Sequence, residues 1–247
     1  MSKSRVQVDY RTSKMFILVP HGHPSDDVGT ASIGEEIAKN MKYSAVINHG
    51  WKRDEKYDAS KSQADLNYYS HLVDKKTSDY TEAGQEFLDP IVFAQDVVEK
   101  YNYDGSFCGS VIIHGMTDAQ GANSIILGIG LPDRLTISAG AAGIFAKKLD
   151  QASGQKFKIH FGKPGGSYSA RSIQNLCQVV STFGSTTMNG NDFSIQIELS
   201  RTIRDDKAKR TKAIDAITIA SEELVKLIES DSINSMDGTI ASSYPQI

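Results

Sequence analysis

At 247 residues, with 39% hydrophobic and 23% charged positions, the chain has an ordinary globular composition and can bury one sizeable core without staples. A net charge of −3 excludes the electrostatic footprint of a duplex nucleic-acid binder. The two cysteines, Cys108 and Cys177, are too few for a disulfide framework and read as buried thiols.

Residues 1–10 are polar, and no stretch approaches the roughly 18 apolar residues of a membrane span. Neither a signal peptide nor a membrane partner is expected, and the chain reads as cytoplasmic. The first apolar run, residues 15–20, predicts a strand that passes directly into His21-Gly-His-Pro-Ser-Asp-Asp27. Helical spacing follows over 31–41, then a strand over 43–48. The polar stretch 52–81 has no periodicity, yet it holds too many potential ligand-binding groups to be only a linker.

A helix is predicted over 82–101, strands over 110–114 and 124–128, a helix over 138–149 and a strand over 157–160. Gly162-Lys-Pro-Gly-Gly-Ser167 lacks the order of a phosphate-binding loop and predicts a glycine-rich loop at a cleft mouth. A helix over 169–183, a strand over 193–198 and a helix over 211–229 complete the pattern. Lys207, Lys209, Arg210 and Lys212 read as a solvated face, and 230–247 is non-periodic. Alternating strands and helices predict one α/β domain over 1–247. It would be three-layered, with a mostly parallel or mixed central sheet covered by helices on both faces.

Sites in such sheets gather at the carboxyl ends of strands. Three apolar strands here deliver a chemically useful residue to that end: His21 with Asp26 or Asp27, His114, and Glu198 flanked by Ile197 and Leu199. Imidazole and carboxylate donors suit a catalytic zinc ion, which takes three protein ligands and keeps one position open. A buried carboxylate nearby suits general base work. Each piece also has a plainer structural explanation, and the joint pattern carries the argument. His23, two residues from His21 on an extended segment, points the other way and is expected outside the ligand set. No Gly-x-Ser-x-Gly elbow occurs, and neither cysteine lies beside an activating base.

Val19-Pro-His-Gly22, Ala64-Asp-Leu-Asn67, His114-Gly-Met116 and Gln196-Ile-Glu198 with Arg201, in this order, resemble the N-formylglutamate amidohydrolase family. That family shares a fold group with the zinc carboxypeptidases. The resemblance spans about residues 16–204 and implies a zinc carboxypeptidase-like (phosphorylase/hydrolase-like) fold. It further implies one zinc ion held by His21, Asp26 and His114, with Glu198 as the catalytic carboxylate. Asn67 and an arginine are implied to bind a substrate carboxylate. The family usually has an arginine after the asparagine, where this chain has Tyr68. Arg53, Arg171 and Arg201 are the candidates to replace it, Arg53 first. The expected reaction is hydrolysis of an N-acyl amino acid of the N-formylglutamate type. A carboxypeptidase-like or γ-glutamyl peptide hydrolase is the alternative, and a catalytically inactive binding module is the third reading.

Overall fold

A computed structural model of the chain describes residues 4–11, 15–101, 109–164, 166–181 and 193–229. In chain order the strands are β1 (Val6–Asp9), β2 (Met15–Val19), β3 (Ser44–Asn48), β4 (Gly109–Met116), β5 (Ser124–Gly128), β6 (Gly130–Leu131), β7 (Arg134–Leu135), β8 (Lys158–Phe161) and β9 (Phe193–Ser200). The helices are α1 (Thr30–Met41), α2 (Tyr69–Leu72), α3 (Glu82–Tyr101), α4 (Ala139–Ser153), α5 (Leu176–Val180), α6 (Arg201–Asp205) and α7 (Lys207–Glu229).

Among the described residues, seven strands form one mixed sheet in the order β1-β3-β2-β4-β9-β5-β8. The middle strands β3, β2, β4 and β9 are parallel, while β1 pairs antiparallel with β3, β5 pairs antiparallel with β9, and β8 runs parallel to β5. Continuously buried runs such as Met15–Val19 fit strands covered on both faces. Crossovers from β2 through α1 to β3, and from β3 through α3 to β4, run in opposite directions across the sheet. With the usual right-handed connection they place these helices on opposite faces. α1, α4 and α7 pack together on one side. Gly34 lets α1 sit directly on β2, since a Cβ there would lie 2.4 Å from Val19 Cγ2.

The expected α/β class and mixed sheet agree with this architecture. The short elements α2, β6, β7 and α6 are additions to the expected pattern, and two further elements differ from it. The helix expected over 169–183 shrinks to α5, because Asn175 caps it through Cys177 N at 2.9 Å after a turn closed by Asn175 N to Ser172 O. The polar amino terminus supplies β1, paired through its backbone with β3 and anchored by Arg5 on Glu86 and over the Trp51 ring. Trp51 is fully buried and donates to Glu86, so it belongs to the core. Cys177 is buried; Cys108, the end of the 169–183 segment and the tail beyond 229 lie outside the described residues. Among the described residues no helix is long and apolar enough to cross a membrane.

Candidate metal centre

The carboxyl ends of β2, β4 and β9 meet at one place. His21 follows β2 across Pro20, and Gly22 lets the chain turn against β3, because a Cβ there would stand 2.2 Å from Asn48 O. His114 lies opposite Glu198 in the β4–β9 register. His21 and His114 are each 3% exposed, and their rings meet edge to face at 4.8 Å.

The carboxylate between the two histidines is Asp27, which corrects the expectation of Asp26. Asp27 Oδ2 stands 3.4 Å from His21 Nδ1 and 3.6 Å from His114 Nδ1, and accepts from Gly115 N at 3.0 Å. The loop backbone decides between the neighbours. Asp27 N donates to His21 O, folding residue 27 back over the histidine. Asp26 instead accepts from Arg53 N at 2.8 Å. His23 turns to Ser25 Oγ, away from this cluster.

Among the described residues, His21, Asp27 and His114 are the group that could hold a metal ion. Donors about 2.0–2.2 Å from a tetrahedral ion stand roughly 3.3–3.6 Å apart, close to the two separations from Asp27 Oδ2. His21 Nδ1 is buried and makes no hydrogen bond, so it fits a ligand atom. The other ring nitrogen, Nε2, lies 2.8 Å from Asp65 Oδ1, the carboxylate–histidine arrangement that orients metal ligands. The donor set therefore fits zinc.

Burial would lower the His21 pKa, but Asp27 and Asp65 outweigh it and raise it to about 9. Burial likewise opposes ionisation of Asp27, yet His114 and His21 hold its carboxyl well below the usual range. Glu198 behaves differently: burial pushes its carboxyl up, Asp27 adds to this, and His114, His21 and Gln196 pull it back. Its hydrogen-bond partner is Gln196 Nε2 at 2.9 Å, not Arg201 or Arg204.

Arg204 instead ties the site together. Its buried guanidinium donates to Leu199 O, Met116 O and Val28 O, joining the segments that carry Glu198, His114 and Asp27. Gly115 leaves it room, since a Cβ there would lie 2.6 Å from Arg204 Cζ.

Of the four residues expected to meet substrate, Arg53 and Asn67 surround Asp65. Arg53 Nε is 3.4 Å from Asp65 Oδ2, and Asn67 N donates to Asp65 Oδ1 at 3.0 Å. Arg53, Lys56, Asp65, Tyr68 and His71 line a cleft of about 870 Å³. Arg201, exposed at the start of α6, bonds Asp205 at 3.0 Å. Arg171 lies exposed in the turn before α5, its carbonyl accepting from Arg134 at 3.3 Å. Asp65, quoted in sequence only as part of the Ala64–Asn67 motif, and Arg204 are structural partners of the site to which sequence reasoning gave no role in it. For Asp65 the signal was an acid between the apolar Ala64 and Leu66.

No family model and no curated protein sequence matches the chain. Solved structures share its fold. N-formylglutamate amidohydrolase from Ralstonia eutropha JMP134 aligns over 93% of this chain and 100% of its own, at 9% identity and a TM-score of 0.55. A bacteriophage poly-gamma-glutamate hydrolase aligns over 90% and 89%, at 14% identity and a TM-score of 0.54. A metallo-carboxypeptidase from Pseudomonas aeruginosa aligns over 90% of this chain and 61% of its own, at 13% identity and a TM-score of 0.50. The likeness is one of fold, and the fold is zinc carboxypeptidase-like.

Proposed function

We propose that the chain is a zinc-dependent amidohydrolase that cleaves an amide bond beside a carboxylate, with an N-acyl amino acid of the N-formylglutamate type as substrate. The observation that carries this reading is the convergence of His21, Asp27 and His114, with His21 backed by Asp65 and with Glu198 opposite His114 in the sheet. Bound zinc would supply Lewis acidity, polarising a carbonyl and easing loss of a proton from water.

Glu198 takes the proton of the attacking water and passes it to the departing nitrogen. Its place suits that cycle: Glu198 is buried and lies opposite His114 in the sheet, so a proton it accepts is kept from bulk water. Arg53 and Asn67 orient the acid end of the substrate, Arg53 by a charge-assisted pair at the cleft wall. Two observations favour the second reading, hydrolysis of a γ-glutamyl peptide or polyglutamate. The cleft of about 870 Å³ is much larger than a formylated amino acid, and Tyr68 replaces the arginine implied by the family resemblance. The bacteriophage enzyme of the same fold is a poly-gamma-glutamate hydrolase.

The test is elemental analysis of protein prepared with zinc, followed by assays on N-formyl-L-glutamate and poly-γ-L-glutamate. About one zinc per chain is expected in the wild type and in Asp26→Ala, with loss in His114→Ala and Asp27→Ala. Glu198→Gln should keep the metal and lose at least about 100-fold in kcat. A metal-free wild type, or a fully active Glu198→Gln, overturns the proposal.

A further inference from the structure

Glu198 belongs to a buried chain of side chains that the metal site does not explain. Gln196 and Glu198 lie two residues apart on β9, hence on one face of the sheet. Gln196 Nε2 donates to Glu198 Oε1 at 2.9 Å. On its far side, Gln196 Oε1 accepts from Asn175 Nδ2 at 3.5 Å, the longer link. Asn175 caps α5, its Oδ1 accepting from Cys177 N at 2.9 Å. All three side chains are buried, at 8% exposure for Asn175, 2% for Gln196 and 7% for Glu198.

The direction of this chain is determined from one end. A backbone N–H can only donate, so Cys177 N selects the oxygen of the Asn175 amide. The Asn175 NH₂ is thereby turned toward Gln196, which must answer with its oxygen. What remains to face Glu198 is the Gln196 NH₂. A donor is thus presented to the carboxylate by the backbone of α5, independently of the carboxylate itself.

We infer that Asn175 and Gln196 are positioning residues that act through Glu198. They occupy Oε1 with a fixed donor and leave Oε2 to handle the reaction proton, an inference that rests on the reading of Glu198 as the base. The same turn also holds the Asn67 segment, through Leu176 N to Asn67 O at 2.9 Å and Tyr69 N to Gln174 O at 2.8 Å. Residues 174–177 therefore set the base and the Asp-Leu-Asn segment relative to each other.

Two substitutions interrupt the relay with little change of shape. Gln196→Met removes the donor to Glu198. Asn175→Asp keeps an oxygen for Cys177 N but has no proton to give Gln196. In the zinc-loaded full chain, acting on N-formyl-L-glutamate or poly-γ-L-glutamate, each should lower kcat about tenfold or more, a fraction of a general base's contribution. KM should stay within about threefold, and metal content should not change. The double variant should be no slower than Gln196→Met, and Gln196→Met should add nothing in a Glu198→Gln background, as expected for residues acting as one unit. Additive losses, or a loss confined to KM, would overturn the inference.

A readout free of turnover is the ¹⁵N side-chain amide signal of Gln196, assigned by its disappearance in Gln196→Met. It should move in both Asn175→Asp and Glu198→Gln. A signal indifferent to either change refutes the relay even if neither probe is cleaved, whereas a fully active Glu198→Gln counts against the base alone.

Discussion

Replacing Arg204 tests whether the site is held together by one buried guanidinium. Arg204 is 6% exposed and donates to Leu199 O at 3.1 Å, to Met116 O at 3.0 Å and to Val28 O. Burial is the largest influence on its pKa and lowers it, while Asp27, Asp205 and Glu198 favour the charge. In Arg204→Met the cost of burying a charge disappears, but three carbonyls lose their donor at about 1–3 kcal/mol each. Relief of the charge penalty offsets roughly 3 kcal/mol of that sum, leaving a net loss of up to about 6 kcal/mol and centred near about 3 kcal/mol. Arg204→Lys should be no better, because a point charge remains buried while the fork that reaches three acceptors is gone. Urea unfolding of the metal-free proteins near neutral pH measures both differences. Gly115→Ala, whose methyl would collide with the guanidinium, should reproduce part of the loss. An Arg204→Lys protein within about 1 kcal/mol of wild type would refute the three-bond account.

Asp65→Asn retains an oxygen for His21 and Asn67 but removes the charge behind the ligand. Zinc affinity should weaken about 10–100-fold in chelator competition, and an unchanged affinity would show that the Asp65 charge does not support His21 as a ligand. Cys177 is lifted by burial to about 11, against small opposing contributions from Ser194 and Thr136. In a Cys108→Ser background its reaction with a thiol reagent at pH 8 should be at least about 100-fold slower folded than unfolded, and comparable rates would show the thiol to be accessible. His160 has a pKa lowered by burial and then by Lys158. The unfolded chain, with its histidine near about 6.5, binds that proton first as pH falls, so stability declines through and below this value. The melting temperature of His160→Gln relative to wild type should therefore be flat above about pH 7 and rise below about pH 6.5; a flat difference throughout would contradict the lowered pKa.

Most strands were legible because both-sided burial writes itself as continuous apolar runs, as in Met15–Val19 and Val111–Ile113. β1 was not, since Val6–Asp9 is an edge strand whose pairing depends on backbone hydrogen bonds to β3 and carries little apolar signature. The start of α5 is hidden in the sequence for a related reason: Asn175 takes its backbone donor, Cys177 N, after a turn that helical periodicity does not report.

At the site, the sequence by itself determined which residue types reach the strand ends: His21 and His114 beside glycines, and Glu198 between two apolar residues. Tertiary structure alone decided that Asp27 rather than Asp26 faces the histidines, because adjacent residues in a loop diverge according to how the backbone closes, here by Asp27 N on His21 O. It also decided that Asp65 stands behind His21, 44 positions away in the chain, and that Gln196 takes its orientation from a helix cap. Side-chain chemistry is local and can be read along a line; the distances that turn it into a site depend on how strands far apart in sequence pair and on where the loops between them turn back.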